Sequence, residues 1–214
     1  MTSKKNSLKR SRLYLILDKD VCGERRLKSI LDAALTGGVD IIQYRDKTSS
    51  TKRMIALAGP LKALTQKRDK IFIVNDRPDV ALAVKADGIH LGQDDAPVSV
   101  IRKLLGNDVI VGLSCHDMPD IRRAGKLAID YAGFGPVFPT LTKPHMKGRG
   151  LTLLKQALNA ATFPVFAIGG ITHKNLARIL DCGCPRAAVC RDICQATEPD
   201  KMTDLLKTFM ENHV

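Results

Sequence analysis

The chain has no tryptophan and, among 214 residues, only three tyrosines and six phenylalanines. Bases therefore have no aromatic platform to stack on, and no nucleic-acid partner is expected despite a net charge of +12. Long apolar runs are missing as well. Nothing approaches the ~18 residues needed to cross a bilayer, and the apolar stretch at 13–17 is too short for a secretory signal. The expectation is a cytoplasmic protein with no membrane partner. Paired C-x2-C spacing is also absent, so Cys22, Cys115, Cys182, Cys184, Cys190 and Cys194 do not suggest zinc. In a chain of this length they read as reduced thiols rather than a disulfide framework. No acid occurs among the first dozen residues, where Lys4, Lys5, Lys9, Arg10 and Arg12 cluster. Residues 1–11 are read as a basic, disordered arm. Excess positive charge in such a protein suits small phosphorylated substrates.

What the chain does have is regular alternation. Apolar runs at 13–17, 39–43, 71–75, 87–91, 109–113, 131–134, 165–168 and 187–190 read as strands. Between them, helical patterns fall at 24–35, 49–68, 78–84, 97–105, 117–127, 151–160 and 173–180, and a last one closes the chain at 200–211. Strands that are apolar throughout belong to a parallel sheet covered by helices. Eight units in about 200 residues predict an α/β fold, a single (β/α)8 TIM barrel over residues 12–214. An open doubly wound sheet is the alternative.

In a barrel, functional groups gather just after the strands. Gln43, Arg45 and Lys47 follow the second strand and alternate onto one face, as the rim of an anion pocket. Asn75 and Asp76 follow the third, Gln93 and Asp95 the fourth, and Ser114 and His116 the fifth. Asp76 and Asp95, with Asn75 and Gln93 as neutral oxygen donors, suit a hard cation such as Mg2+. Helix capping is the competing role, since each acid stands just ahead of a proline. After the sixth strand, Thr140, Thr142 and Lys143 supply hydroxyls and a cation suited to phosphate, and the stretch to Gly150 has the composition of a lid. Gly169-Gly170 lets an anion approach the backbone where barrel phosphate sites recur. His90, inside a strand, is read as structural. The residues alone describe a barrel enzyme with two anionic subsites, one metal-linked and one built from the last loops.

Taken together, Gln43-Tyr44-Arg45-Asp46-Lys47, Asn75-Asp76-Arg77, the run from Asp87 to Asp95, Gly112-Leu113-Ser114, the run from Gly135 to Lys143 and Ala167-Ile168-Gly169-Gly170-Ile171 resemble the thiamine-phosphate synthase family. The resemblance covers nearly the whole chain from Leu13 onward. It implies condensation of 4-amino-2-methyl-5-(diphosphooxymethyl)pyrimidine with thiazole phosphate, giving thiamine phosphate and pyrophosphate. By motif, Gln43, Arg45, Lys47, Asn75, Ser114 and Lys143 would hold the pyrimidine diphosphate, and Asp76 and Asp95 would hold Mg2+. Thr140, Thr142, Gly170, Cys190 and Arg191 would hold the thiazole phosphate, with Lys143, Ser114 and Arg45 as catalytic groups. The partners implied are those small molecules, and assembly into a homo-oligomer is compatible with the reading. One departure stands out: many relatives have a glycine-containing turn into the last strand and a serine at its end, where this chain has Cys190-Arg191. The arginine could bind phosphate or turn away to an ion pair. Two rivals remain: a thiazole tautomerase on the same barrel, which uses a histidine at the position of His116, and a phosphate sensor or RNA-associated protein acting through the basic arm.

Overall fold

A computed structural model of the chain describes residues 4–141 and 147–213. Its eight strands, β1 (Leu13–Asp18), β2 (Ile41–Arg45), β3 (Ile71–Asn75), β4 (Gly88–Leu91), β5 (Ile110–Cys115), β6 (Tyr131–Phe134), β7 (Val165–Ile168) and β8 (Ala187–Val189), form a closed barrel. Neighbours are parallel throughout, and β8 pairs with β1. The barrel is confirmed over the open sheet.

Closure follows from the two-residue period of the strands. Leu13, Leu15 and Leu17 of β1, or Phe72 and Val74 of β3, face outward into the layer between strands and helices. Their neighbours Tyr14 and Ile16, Ile71 and Ile73, with Ile41, Ile110, Tyr131 and Phe166, form a second cluster inside the barrel. Both faces are buried, so the strands read as unbroken apolar runs. Gly112 stands opposite Tyr131 in the β5–β6 register, and a Cβ there would lie 2.1 Å from Tyr131 Cζ. The glycine makes room for that ring.

The surrounding helices are α2 (Lys19–Cys22), α3 (Leu27–Thr36), α4 (Thr51–Lys67), α5 (Pro78–Ala83), α6 (Val98–Leu105), α7 (Met118–Ala124), α8 (Gly150–Ala160), α9 (Leu176–Asp181), α10 (Arg191–Cys194) and α11 (Pro199–Asn212), preceded in the chain by α1 (Lys4–Arg10). Among the described residues, no helix is long and apolar enough to cross a membrane. Two departures from expectation bear on the site. β2 extends to Arg45 rather than ending at Gln43, which places both side chains on the inward face. β8 passes directly into the four-residue α10, which is too short to show a helical period in sequence.

The third departure is α1, expected as a disordered arm. Its Leu8 is 2% exposed and belongs to the inner cluster. Lys4 donates to Asp69 and to the Lys70 carbonyl at 3.1 Å, Lys5 pairs with Asp130 at 2.9 Å, and Arg186 donates to the Lys9 carbonyl at 3.0 Å. All these partners precede β3, β6 or β8, so α1 caps the barrel at its N-terminal end. Composition suggested a solvated arm because one leucine among cations shows no periodicity.

The turn leaving β2 hangs on Asp46, which accepts from the Thr48 and Ser49 N–H groups at 3.0 Å and from the Tyr44 hydroxyl at 2.9 Å. Burial would raise this carboxyl, but those hydrogen bonds outweigh it and hold Asp46 well below the usual carboxylate range. Its contribution is therefore complete above the unfolded value of ~4 and is lost as pH falls through the folded value. Asp46→Asn should cost ~2 kcal/mol at neutral pH and flatten the acid limb of the stability curve. Parallel acid limbs for variant and parent would contradict this. Leu8→Ala should lower unfolding free energy by about 3 kcal/mol in denaturant titration and leave turnover in the cold intact. An unchanged midpoint would show that the plug contributes nothing.

Candidate active site

At the C-terminal ends of the strands the inward positions open into one cavity of about 290 Å³. Gln43 and Arg45 from β2, Asn75 from β3, Ser114 from β5, Thr140 from the loop after β6, Gly170 after β7, and Cys190 and Arg191 after β8 all line it. Lys47, Asp76 and Asp95 lie beside this wall rather than in it. Thr142 and Lys143, the remaining expected site residues, fall outside the described residues, as do residues 144–146 of the expected lid.

On the β2–β4 side the charges are fixed in place. The Arg45 guanidinium pairs with Asp18, a carboxylate only 2% exposed that also caps α2 through the Asp20 and Val21 N–H groups. Asp76 has φ of 60°, a left-handed conformation uncommon outside glycine. Its N–H donates to the His90 carbonyl at 2.8 Å, and its carboxylate pairs with Lys47. Asp95 accepts from the Gly92 N–H at 2.6 Å. Neither acid caps the helix that follows, because Arg77 and Pro97 hold the N-cap positions of α5 and α6 and neither helix has a side-chain cap. The capping role is thereby set aside.

Asp76 and Asp95 instead adjoin each other closely enough to shift each other's carboxyl. Burial and the Asp76 contact push Asp95 up. Burial also acts upward on Asp76, yet Asp95 and Lys47 outweigh it and hold Asp76 low. Adjoining carboxylates that favour one proton between them are a donor set into which a divalent cation fits. Gln93 is not part of that set. Its Nε2 donates to the Ser114 carbonyl and its Oε1 accepts from Arg123 at 3.1 Å. Among the described residues, no cluster of three or more His, Cys, Asp or Glu forms a metal cage. Two carboxylates alone leave most of the shell to water and substrate, the habit of Mg2+.

The opposite side is built from backbone. Gly169 and Gly170 have φ of 96° and 64°. A Cβ on Gly170 would lie 2.4 Å from the Pro139 carbonyl oxygen, so only glycine lets the loops after β6 and β7 meet. Val137 N–H donates to the Ile168 carbonyl at 2.8 Å and Phe138 N–H to the Gly169 carbonyl at 3.1 Å, joining those loops. Arg191 opens α10 in the cavity wall. Its Nε is buried without a partner, and it forms no ion pair among the described residues. Of the two orientations left open by the sequence, the ion-paired one is not seen among the described residues, and an orphaned guanidinium N–H has the chemistry to donate to a phosphate oxygen.

His116 lines the cavity and donates from Nδ1 to the Gly135 carbonyl at 2.5 Å. The neighbouring Cys115 is buried, its thiol pushed up to about 12 by burial and then by Asp120, which suits no nucleophile. All six cysteines are free. His90 is 5% exposed inside the barrel, as a structural histidine should be. Tyr14, Asp18 and Tyr131 were not anticipated as site-supporting residues. The inward parity that selects Gln43 and Arg45 on β2 would have found Tyr14 and Asp18 on β1.

The family model described as thiamine monophosphate synthase matches residues 13–193. The thiamine-phosphate synthase of Persephonella marina is 44% identical over 200 residues, covering 94% of this chain and 96% of its own. That of Halalkalibacterium halodurans is 40% identical over 201 residues, covering 94% and 95%. Thiamine phosphate pyrophosphorylase from Pyrococcus furiosus superposes with a TM-score of 0.88 at 34% identity over 98% of each chain. KGPDC from Streptococcus mutans, with a TM-score of 0.64 at 16% identity over 94% of this chain and 98% of its own, shares the barrel alone. With site geometry and relatives in agreement, the chain belongs to the thiamine monophosphate synthase family and is an enzyme of the transferase class.

Proposed function

We propose that the chain joins 4-amino-2-methyl-5-(diphosphooxymethyl)pyrimidine to thiazole phosphate, forming thiamine phosphate and releasing pyrophosphate. The observation that carries this reading is the single cavity, walled on one side by Arg45 and Ser114 and on the other by Gly170 and Arg191. Two phosphorylated ligands can thus meet with their anionic ends apart.

The C–O bond between the pyrimidine methylene and the diphosphate breaks with its electron pair leaving on oxygen. The thiazole nitrogen then gives its lone pair to the methylene carbon, forming the new C–N bond. No proton has to be removed, so what the reaction needs from the protein is charge placed against the departing anion. Arg45, preset by buried Asp18, and Lys47 supply it, and Lys143 belongs to the same proposed set. Gln43, Asn75 and Ser114 hold the pyrimidine. Thr140, Thr142, Gly170, Cys190 and Arg191 receive the thiazole phosphate. Asp76 and Asp95 would hold Mg2+, which when bound neutralises diphosphate oxygens.

Supplying both substrates with Mg2+ should release pyrophosphate, and omitting either should stop it. Thiazole isomerisation without pyrophosphate would hand the case to the tautomerase. Asp95→Asn and Lys143→Ala should each lower turnover by roughly two decades, the ~3 kcal/mol of one preorganised contact to a departing anion. Near-normal turnover in both variants sinks the mechanism. Arg191→Ala should raise KM for thiazole phosphate about tenfold or more, the value of a lost charge-assisted hydrogen bond, with little change in KM for the pyrimidine. Equal effects on both would place Arg191 elsewhere.

A further inference from the structure

An unbroken hydrogen-bonded chain crosses the barrel interior beneath the cavity. Gln43 Nε2 donates to the Tyr14 hydroxyl at 2.8 Å, and Tyr14 and Tyr131 share a hydroxyl–hydroxyl bond of 2.8 Å. The Tyr131 hydroxyl meets His90 Nδ1 at 3.0 Å, and His90 Nε2 meets Ser114 Oγ at 2.9 Å. Both ends line the cavity, while Tyr14 and Tyr131 are 2% and 0% exposed. The aromatic packing is independent of these bonds: Phe166 stands edge-on to both tyrosines, at 5.4 and 5.5 Å between centroids.

The chain has a direction. Burial pushes both phenols above their ordinary range, so each hydroxyl keeps its one proton. An amide nitrogen only donates. Tyr14 accepts from Gln43 and passes its own proton toward Tyr131. Tyr131, already an acceptor, gives its proton to His90 Nδ1. A neutral imidazole that accepts at Nδ1 carries its proton on Nε2, and that proton goes to Ser114 Oγ. Ser114 thus accepts from the protein, and its hydroxyl proton is left to be donated into the cavity.

We propose that Tyr14, Tyr131 and His90 are positioning residues that make Ser114 a donor toward an acceptor atom of the pyrimidine diphosphate. The inference rests on the proposed reaction for its ligand, but the direction of the chain is a property of the protein alone. If the Gln43 amide were turned round, every link would reverse: His90 would carry its proton on Nδ1 and Ser114 would donate back to it.

Two measurements separate these cases. NMR of 15N-histidine-labelled protein at neutral pH, with His90 assigned by the loss of its signals in His90→Gln, should show the Nε2–H tautomer. An Nδ1–H tautomer or an imidazolium overturns the proposal, whatever the enzyme's activity. In kinetics, Tyr131→Phe keeps the ring and removes the link. It should lower kcat for pyrophosphate release about tenfold, with a smaller change in KM, but by no more than about twofold in a Ser114→Ala background. Tyr14→Phe, one link further from Ser114, should act in the same sense and covers the case in which Tyr131→Phe fails to fold. An equal loss in both backgrounds means a merely structural role and overturns the proposal, as does no loss in the parent. A parent protein that releases no pyrophosphate overturns the reaction instead and leaves the tautomer result standing.

Discussion

Closing a parallel sheet on itself gives every strand two buried faces, and the inward one has to fill the axis of the barrel. Here that space is taken largely by Tyr14, Tyr131 and Phe166 above the Leu8 plug. Two of those rings bring hydroxyls into the buried interior, where an unpaired donor or acceptor is costly. The hydroxyls satisfy each other and then Gln43 and His90. What begins as a packing requirement ends as a polar link beneath the cavity, from Gln43 to Ser114. Gly112 belongs to the same solution, since the Tyr131 ring occupies the place of its missing side chain.

Above that floor, the charged groups of the site are held in place by their neighbours. Arg45 is held by a buried carboxylate, Lys47 lies against Asp76, and Asp76 and Asp95 press together. Across the cavity a guanidinium Nε has no partner. Such charges, fixed before the substrate arrives, cost little reorganisation during reaction.

Much of this was legible in the sequence. β3, β6 and β7 fall where their apolar runs end, and the strand-end residues Gln43, Arg45, Asn75 and Ser114 share one cavity because strand order puts them there. The parts that escaped had physical reasons. Asp18 and Tyr14 sit on the inward face of a strand whose two faces are both apolar, so polarity alone does not mark them and only the inward parity carried over from β2 does. α10 has no length over which a period could show, and the orientation of Arg191 depends on it. α1 is held by Lys4 and Lys5 reaching acids before β3 and β6 and by Arg186, before β8, donating to its Lys9 carbonyl, a set of contacts invisible in local composition. Gln93, expected beside the acids, is instead drawn to Ser114 and Arg123.

The central claim is that one cavity holds two anions at separate ends, with a cation at the carboxylate pair. A crystal structure of the protein soaked with pyrophosphate and Mg2+ tests it most directly. The account predicts metal on Asp76 and Asp95, with pyrophosphate bridging it to Arg45 and Lys47. Pyrophosphate seated between Gly170 and Arg191, with no metal at the acids, would contradict it.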